Sequence, residues 1–149
     1  MSAAKRRYLA HFQNGCAGSD KLAATSSAQL QALVAQIKGG DVSAVSRLTR
    51  YLQRLSQAFS QGLARMRALG SPPGPDAAAG RTYIAQAARL IAAIRQLGQS
   101  VGRLDARGIA AANGELRTAT GAAHSAAARY GFETCGSTAS GSASAGPIV

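Results

Sequence analysis

Residues 41–76 read DVSAVSRLTRYLQRLSQAFSQGLARMRALGSPPGPD. Within this stretch Val45, Leu48, Leu52, Leu55, Phe59, Gly62, Met66 and Leu69 recur in steps of three and four. That spacing keeps one stripe on one face of an α-helix. Asp41 stands where an N-cap carboxylate accepts an otherwise unpaired backbone N–H. Gly70 ends the pattern, and Ser71-Pro72-Pro73-Gly74-Pro75 cannot continue it, because proline lacks an amide hydrogen and collides with the preceding turn. A helix with one apolar stripe needs partners to cover it, so the fold depends on whether the rest of the chain repeats the pattern.

The pattern recurs on both sides. Upstream, Leu9, Phe12, Cys16, Ser19, Ala23, Ser26, Leu30, Leu33 and Ile37 keep the same spacing until Lys38-Gly39-Gly40. Lysine suits the negative helix end, and glycine accepts the left-handed conformation that follows it. Gly15 and Gly18 weaken the first half, so a kink or break is expected near Cys16. Downstream, Asp76 caps a segment carrying Tyr83, Ala87, Leu90, Ile94, Leu97, Val101 and Leu104, with Ile84 and Ile91 widening its face. Asp105 opens the last segment, in which Ile109, Ala112, Leu116, Ala119, Ala123, Ala126 and Tyr130 precede Gly131. No run alternates with period two, so no sheet is expected. The reading is all-α: an antiparallel up-down-up-down four-helix bundle with helices at about 2–38, 42–69, 77–104 and 106–130. The bundle domain occupies 1–135, and the Gly/Ser/Ala-rich 136–149 reads as a flexible tail.

A chain of 149 residues fits one domain, and 46% hydrophobic content is too high for a disordered chain. Alanine supplies about half of that fraction and buries little area, so close helix contacts must fill the core. Gly62, Gly98, Gly102 and Gly121 each cost about 1 kcal/mol against alanine inside a helix. They either let helices approach or are tolerated defects. Tyr8, Tyr51, Tyr83 and Tyr130 are expected to rim the core with their hydroxyls outward.

Seventeen Lys+Arg against six Asp+Glu give a formal charge of +11. Three of the six acids, Asp41, Asp76 and Asp105, stand at expected N-caps and leave the helix bodies basic. Arg47, Arg50, Arg54, Arg65 and Arg67 fall between Val42 and Pro75 with no acid among them. Arg47, Arg50 and Arg54, at i, i+3 and i+7, lie opposite the Val45/Leu48/Leu52 stripe and form the candidate anion-binding strip. Guanidinium groups present paired donors to phosphates and carboxylates, so an anionic polymer, lipid headgroups or a protein are the candidate partners. A solvated face without a partner is the competing reading. The chain carries no helix-turn-helix or RNA-binding signature, so specific nucleic-acid recognition is not expected.

An enzyme is not expected either. His11 and His124 lie on different helices without a carboxylate or cysteine at metal-ligand spacing, and there is no Gly-rich phosphate loop. No metal or cofactor is implied. Pairing Cys16 with either histidine as a nucleophile would need a reduced, activated thiol and an orienting group that the sequence does not supply.

The two cysteines carry the reading of compartment. In an up-down-up-down bundle, the start of the first helix and the end of the fourth share a pole, so Cys16 and Cys135 can meet. Closing that loop of about 120 residues would contribute roughly 5 kcal/mol in the chain-entropy model. A disulfide implies an oxidising compartment; two free core thiols would fit a reducing one. Met1 to Arg7 is charged like the start of a signal peptide, but Tyr8 to Gln13 is not an apolar run. Gly15-Cys16 lacks the small or apolar residues that precede a lipidated cysteine. No transmembrane segment is expected, because the most apolar stretch, Ile84 to Ile94, is short and interrupted by Gln86 and Arg89.

Lys5-Arg6-Arg7-Tyr8-Leu9 through Cys16, together with Tyr130-Gly131-Phe132-Glu133-Thr134-Cys135-Gly136, resembles a group of small secreted or lipid-anchored helical proteins from high-GC actinobacteria. These place a tyrosine and then a cysteine on the first helix, and end on Cys-Gly shortly after an aromatic or leucine. They generally carry no assigned activity. The resemblance implies extracytoplasmic localisation and a Cys16–Cys135 disulfide. The expected function is that of a non-enzymatic extracytoplasmic bundle acting at the cell envelope, binding a protein or an anionic surface through basic helix faces. The alternative is a cytoplasmic basic helical protein that binds nucleic acid nonspecifically.

Overall fold

The computed structural model describes the backbone of residues 1–132, and their side chains except at positions 16–20 and 23. Among the described residues the chain forms α1 (Ala3–Lys38), α2 (Ser43–Arg67), α3 (Ala77–Gly102) and α4 (Ala106–Tyr130), with no strand. The protein is all-helical and its helices pack as a bundle. Cys135 and the tail expected over 136–149 lie outside the described residues, and so does the side chain of Cys16.

The stripes become two layers of core. In one, Leu30, Leu33 and Val34 of α1 meet Leu48, Leu52 and Leu55 of α2, Ala93, Ile94, Leu97 and Val101 of α3, and Ala112 and Leu116 of α4. In the other, Tyr8, Leu9 and Phe12 of α1 meet Leu63 and Met66 of α2, Ile91 of α3, and Ala127, Tyr130 and Phe132 at the end of α4. Each layer therefore joins residues far apart in sequence. The start of α1, end of α2, start of α3 and end of α4 share one pole, and the links Gly39–Val42 and Arg103–Asp105 share the other.

Small residues set the spacing between helices. A Cβ on Gly98 would stand 3.3 Å from Leu52 Cβ, and one on Gly102 3.3 Å from Thr49 Cγ2, so these glycines permit a close α2–α3 approach. A Cβ on Gly121 would meet nothing within 4 Å, so that glycine is a tolerated defect. The buried face of α4 is mostly alanine, with Ala112, Ala119, Ala123, Ala126 and Ala127 all inside. By backbone proximity α3 and α4 pack most closely, while α1 lies chiefly against α2.

Several expectations need correction. The break foreseen near Cys16 does not occur, and α1 is continuous through Gly15 and Gly18. Buried anchors on either side, Leu9 and Phe12 before and Leu30 and Leu33 after, outweigh the weak local propensity. Helix α2 ends at Arg67 and α3 at Gly102, each two residues short of the expected end. Leu69 and Leu104, read as stripe positions, are exposed because they follow the last helical turn.

All four helices are followed within three residues by one residue at positive φ: Gly40 (94°), Gly70 (84°), Leu104 (54°) and Gly131 (94°). The ends of α1 and α3 share one hydrogen-bonding pattern. Gly40 N–H donates to Ile37 O (3.0 Å) and Asp41 N–H to Gln36 O (3.0 Å), while Leu104 N–H donates to Val101 O (3.0 Å) and Asp105 N–H to Ser100 O (2.9 Å). These paired bonds satisfy carbonyls that the helix leaves open.

Candidate anion-binding face and the poles that frame it

The amphipathic period of α2 turns its arginines away from the core as Leu48, Leu52 and Leu55 turn in. Arg47, Arg50 and Arg54 are all exposed. Arg47 is engaged: its guanidinium donates to Asp41 Oδ2 at 2.7 Å and to Gln36 Oε1 at 3.0 Å, clasping the α1–α2 link. Arg50 and Arg54 make no ion pair among the described residues. Four residues apart, they project from neighbouring turns of one face. The only other arginine paired among the described residues is Arg89, whose guanidinium meets Glu115 Oε1 at 2.7 Å and ties α3 to α4.

The acids behave differently from one another. Asp105 caps α4, its Oδ1 accepting the Gly108 N–H at 3.0 Å. Asp41 lies one residue before the N-cap position, held by Val42, yet its Oδ1 accepts both the Ser43 N–H (3.0 Å) and the Ser43 hydroxyl (2.6 Å). The Ser43 hydroxyl bond, with the Arg47 guanidinium and Ser43 amide behind it, holds the Asp41 carboxyl below the usual carboxylate range. Asp76 occupies the N-cap position of α3 but makes no capping hydrogen bond. Its carboxylate instead receives the Lys5 ammonium from the start of α1, an ion pair spanning 71 positions.

That ion pair belongs to an aromatic pole. Phe12 and Phe132 stack with centroids 4.1 Å apart, Tyr8 meets Tyr130 edge-on at 6.0 Å, and Tyr83 stands 5.6 Å from Phe12 and 5.2 Å from Phe132. Lys5 Nζ sits 4.6 Å from the Tyr130 ring centroid, adding a cation–π contact. The Tyr130 hydroxyl donates to Pro73 O at 3.0 Å and anchors the α2–α3 connector. Gly80 lets Pro72 nest beside it: a Cβ there would fall 2.7 Å from Pro72 Cβ and 3.1 Å from Tyr130 Cδ2.

Outward hydroxyls were expected for all four tyrosines, but Tyr8 and Tyr130 are buried. Burial raises the Tyr8 phenol above its ordinary value, and burial, then Tyr8 and Asp76, pushes Tyr130 up to about 12. Lys5 was not anticipated. Extending the α1 stripe back from Leu9 by four residues would have placed a cation in the seam.

Among the described residues, no three His, Cys, Asp or Glu side chains gather closely enough to hold a metal ion. His11 is exposed and His124 half-buried. No described helix is long and apolar enough to cross a membrane. No protein-family model, curated protein or solved structure matches this chain. Its surface chemistry is therefore the guide to function.

Proposed function

We propose that this chain is a non-enzymatic, extracytoplasmic four-helix bundle, up-down-up-down and stapled by a Cys16–Cys135 disulfide. It acts at the cell envelope, docking an anionic surface or an acidic protein on the α2 face. The observation that carries this reading is the distribution of charge on that helix. Asp41 is taken up by Ser43 and Arg47, while Arg50 and Arg54 stay exposed without an ion pair among the described residues. Two guanidinium groups on adjacent turns present forked donors suited to carboxylate or phosphate oxygens.

The test compares wild type with Arg50→Ala/Arg54→Ala for binding to polyglutamate, to phosphatidylglycerol-containing vesicles and to duplex DNA over a salt series. Removing both exposed arginines weakens binding to the carboxylate polymer and vesicles by about tenfold, and added salt weakens wild-type binding in parallel. Salt-steep binding to DNA alone would instead favour the cytoplasmic nucleic-acid reading. A thiol titration of protein from the native host tests the compartment. Unreactive cysteines fit the disulfide, and two reactive thiols overturn it.

A further inference from the structure

The pole opposite the aromatic cluster exposes two apolar side chains, and the fold gives neither of them a reason to be there. Val42, at the start of α2, is 82% exposed, and Leu104, between α3 and α4, is 74% exposed. They lie at the same end of the bundle. Thr49 of α2 packs at the level of Gly98 and Gly102 of α3, and both apolar tips extend within about two helical turns beyond that contact. Leu104 also sits at φ 54°, where the other three helix ends carry glycine. A branched side chain is disfavoured in that region, and an exposed one recovers nothing by burial. For the fold alone, glycine would be the better residue at position 104.

The surroundings of the two tips are basic. Lys38, Arg103 and Arg107 are exposed and make no ion pair among the described residues. The two acids of this pole are outnumbered: Asp41 is paired with Arg47, and Asp105, whose carboxylate caps α4 through the Gly108 amide, stands between Arg103 and Arg107. We infer that this pole enters the headgroup layer of an anionic lipid bilayer, with Val42 and Leu104 as its apolar tips and Lys38, Arg103 and Arg107 meeting the lipid phosphates. The inference rests on the anionic-surface reading above and names the surface and the part of the molecule that meets it. A nucleic-acid backbone would engage the cations but leave the apolar tips in water. The bilayer interface accepts both, with apolar groups at the acyl boundary and cations among the headgroups. Insertion at this depth needs no spanning helix.

The experiment measures co-sedimentation with vesicles of phosphatidylcholine alone and of phosphatidylcholine mixed with phosphatidylglycerol, for wild type, Val42→Ser/Leu104→Gly and Arg50→Ala/Arg54→Ala. An environment-sensitive dye on Leu104→Cys, in a Cys16→Ser/Cys135→Ser background whose helical content is confirmed by circular dichroism, reports depth. Expected are binding to the anionic vesicles only, a loss of about tenfold in Val42→Ser/Leu104→Gly, and a blue-shifted dye on binding. The melting temperature of Val42→Ser/Leu104→Gly should not fall, which separates lost docking from lost fold. Binding that is indifferent to this variant, leaves the dye unshifted and disappears in Arg50→Ala/Arg54→Ala overturns the inference while keeping the α2-face reading. Absence of binding to anionic vesicles overturns the inference, and if polyglutamate also fails to bind, the α2-face reading falls with it. Equal binding to the neutral vesicles would remove the role assigned to Lys38, Arg103 and Arg107 and overturn it as well.

Discussion

The two poles of this bundle are built on opposite principles. At one, Tyr8, Phe12, Tyr83, Tyr130 and Phe132 form a ring cluster, closed by the Lys5–Asp76 ion pair and the Tyr130–Pro73 hydrogen bond. At the other, two short links turn on matched backbone hydrogen bonds and leave Val42 and Leu104 in water. An alanine-rich chain has few large side chains, and this one has concentrated its aromatics where α1 and α4 must be tied together. The comparison teaches that the long-range side-chain fastenings are gathered at one end of the bundle, while the other end is closed by backbone bonds local to its two links.

The largest expected effect breaks the aromatic pole. Phe12→Ala removes a fully buried ring that stacks on Phe132 and should cost about 3–5 kcal/mol, read as a drop in denaturation midpoint. Alkaline titration attacks the same pole without mutation. Tyr130 has its folded pKa raised to about 12, so the unfolded chain loses that proton first, near its ordinary value. The contribution is intact below about pH 10 and is lost as pH rises towards 12, worth of the order of 2 kcal/mol. Tyr8, shifted in the same direction, adds to the loss. A Tyr130→Phe variant should flatten this part of a stability-against-pH curve.

Asp76→Ala should cost less, about 1–2 kcal/mol, because the carboxylate is itself 41% exposed and solvent screens the pair. The cost arises mainly from leaving the buried Lys5 without its counter-charge, so Lys5→Met/Asp76→Ala should recover part of it in a double-mutant cycle. The smallest effect sharpens the contrast at the other pole and has the opposite sign. Leu104→Gly should stabilise the fold by about 0.5–1 kcal/mol, since glycine occupies positive φ without strain. Thermal denaturation of this variant measures whether the exposed pole is maintained at the expense of stability.

Sequence pattern revealed the fold more readily than its fastenings. Of the α4 stripe, Ala112, Leu116, Ala119, Ala123, Ala126 and Tyr130 are buried as expected and Ile109 is half-buried, because helix periodicity is local information. Asp105 was legible as a cap for the same reason. Lys5–Asp76 was not, since nothing in the local pattern of either residue indicates a partner 71 positions away. The exposure of Leu104 was missed because its spacing continues the α3 stripe for one more step, and only the backbone turn after Gly102 takes it off that face. Of the candidate strip, Arg50 and Arg54 are exposed and make no ion pair among the described residues. Arg47 is drawn into the link by Asp41 and Gln36, and that clasp depends on how α1 ends.

The uneven packing of the helices has a consequence for how the molecule opens. The α3–α4 hairpin joins its helices through Arg103–Asp105 and packs them most closely, whereas α1 leans chiefly on α2 and, among the described residues, shares with α4 the ring cluster and the core layer of Ala112 and Leu116. With the proposed Cys16–Cys135 staple reduced, helix α1 should therefore behave as a separate cooperative unit that detaches before the hairpin melts. In native-state hydrogen exchange its mid-helix amides should exchange through a sub-global opening, while those of α3 and α4 wait for complete unfolding. Mutating Phe12 should then lower protection in α1 far more than in the hairpin. The rings would act as the latch of a hinged helix.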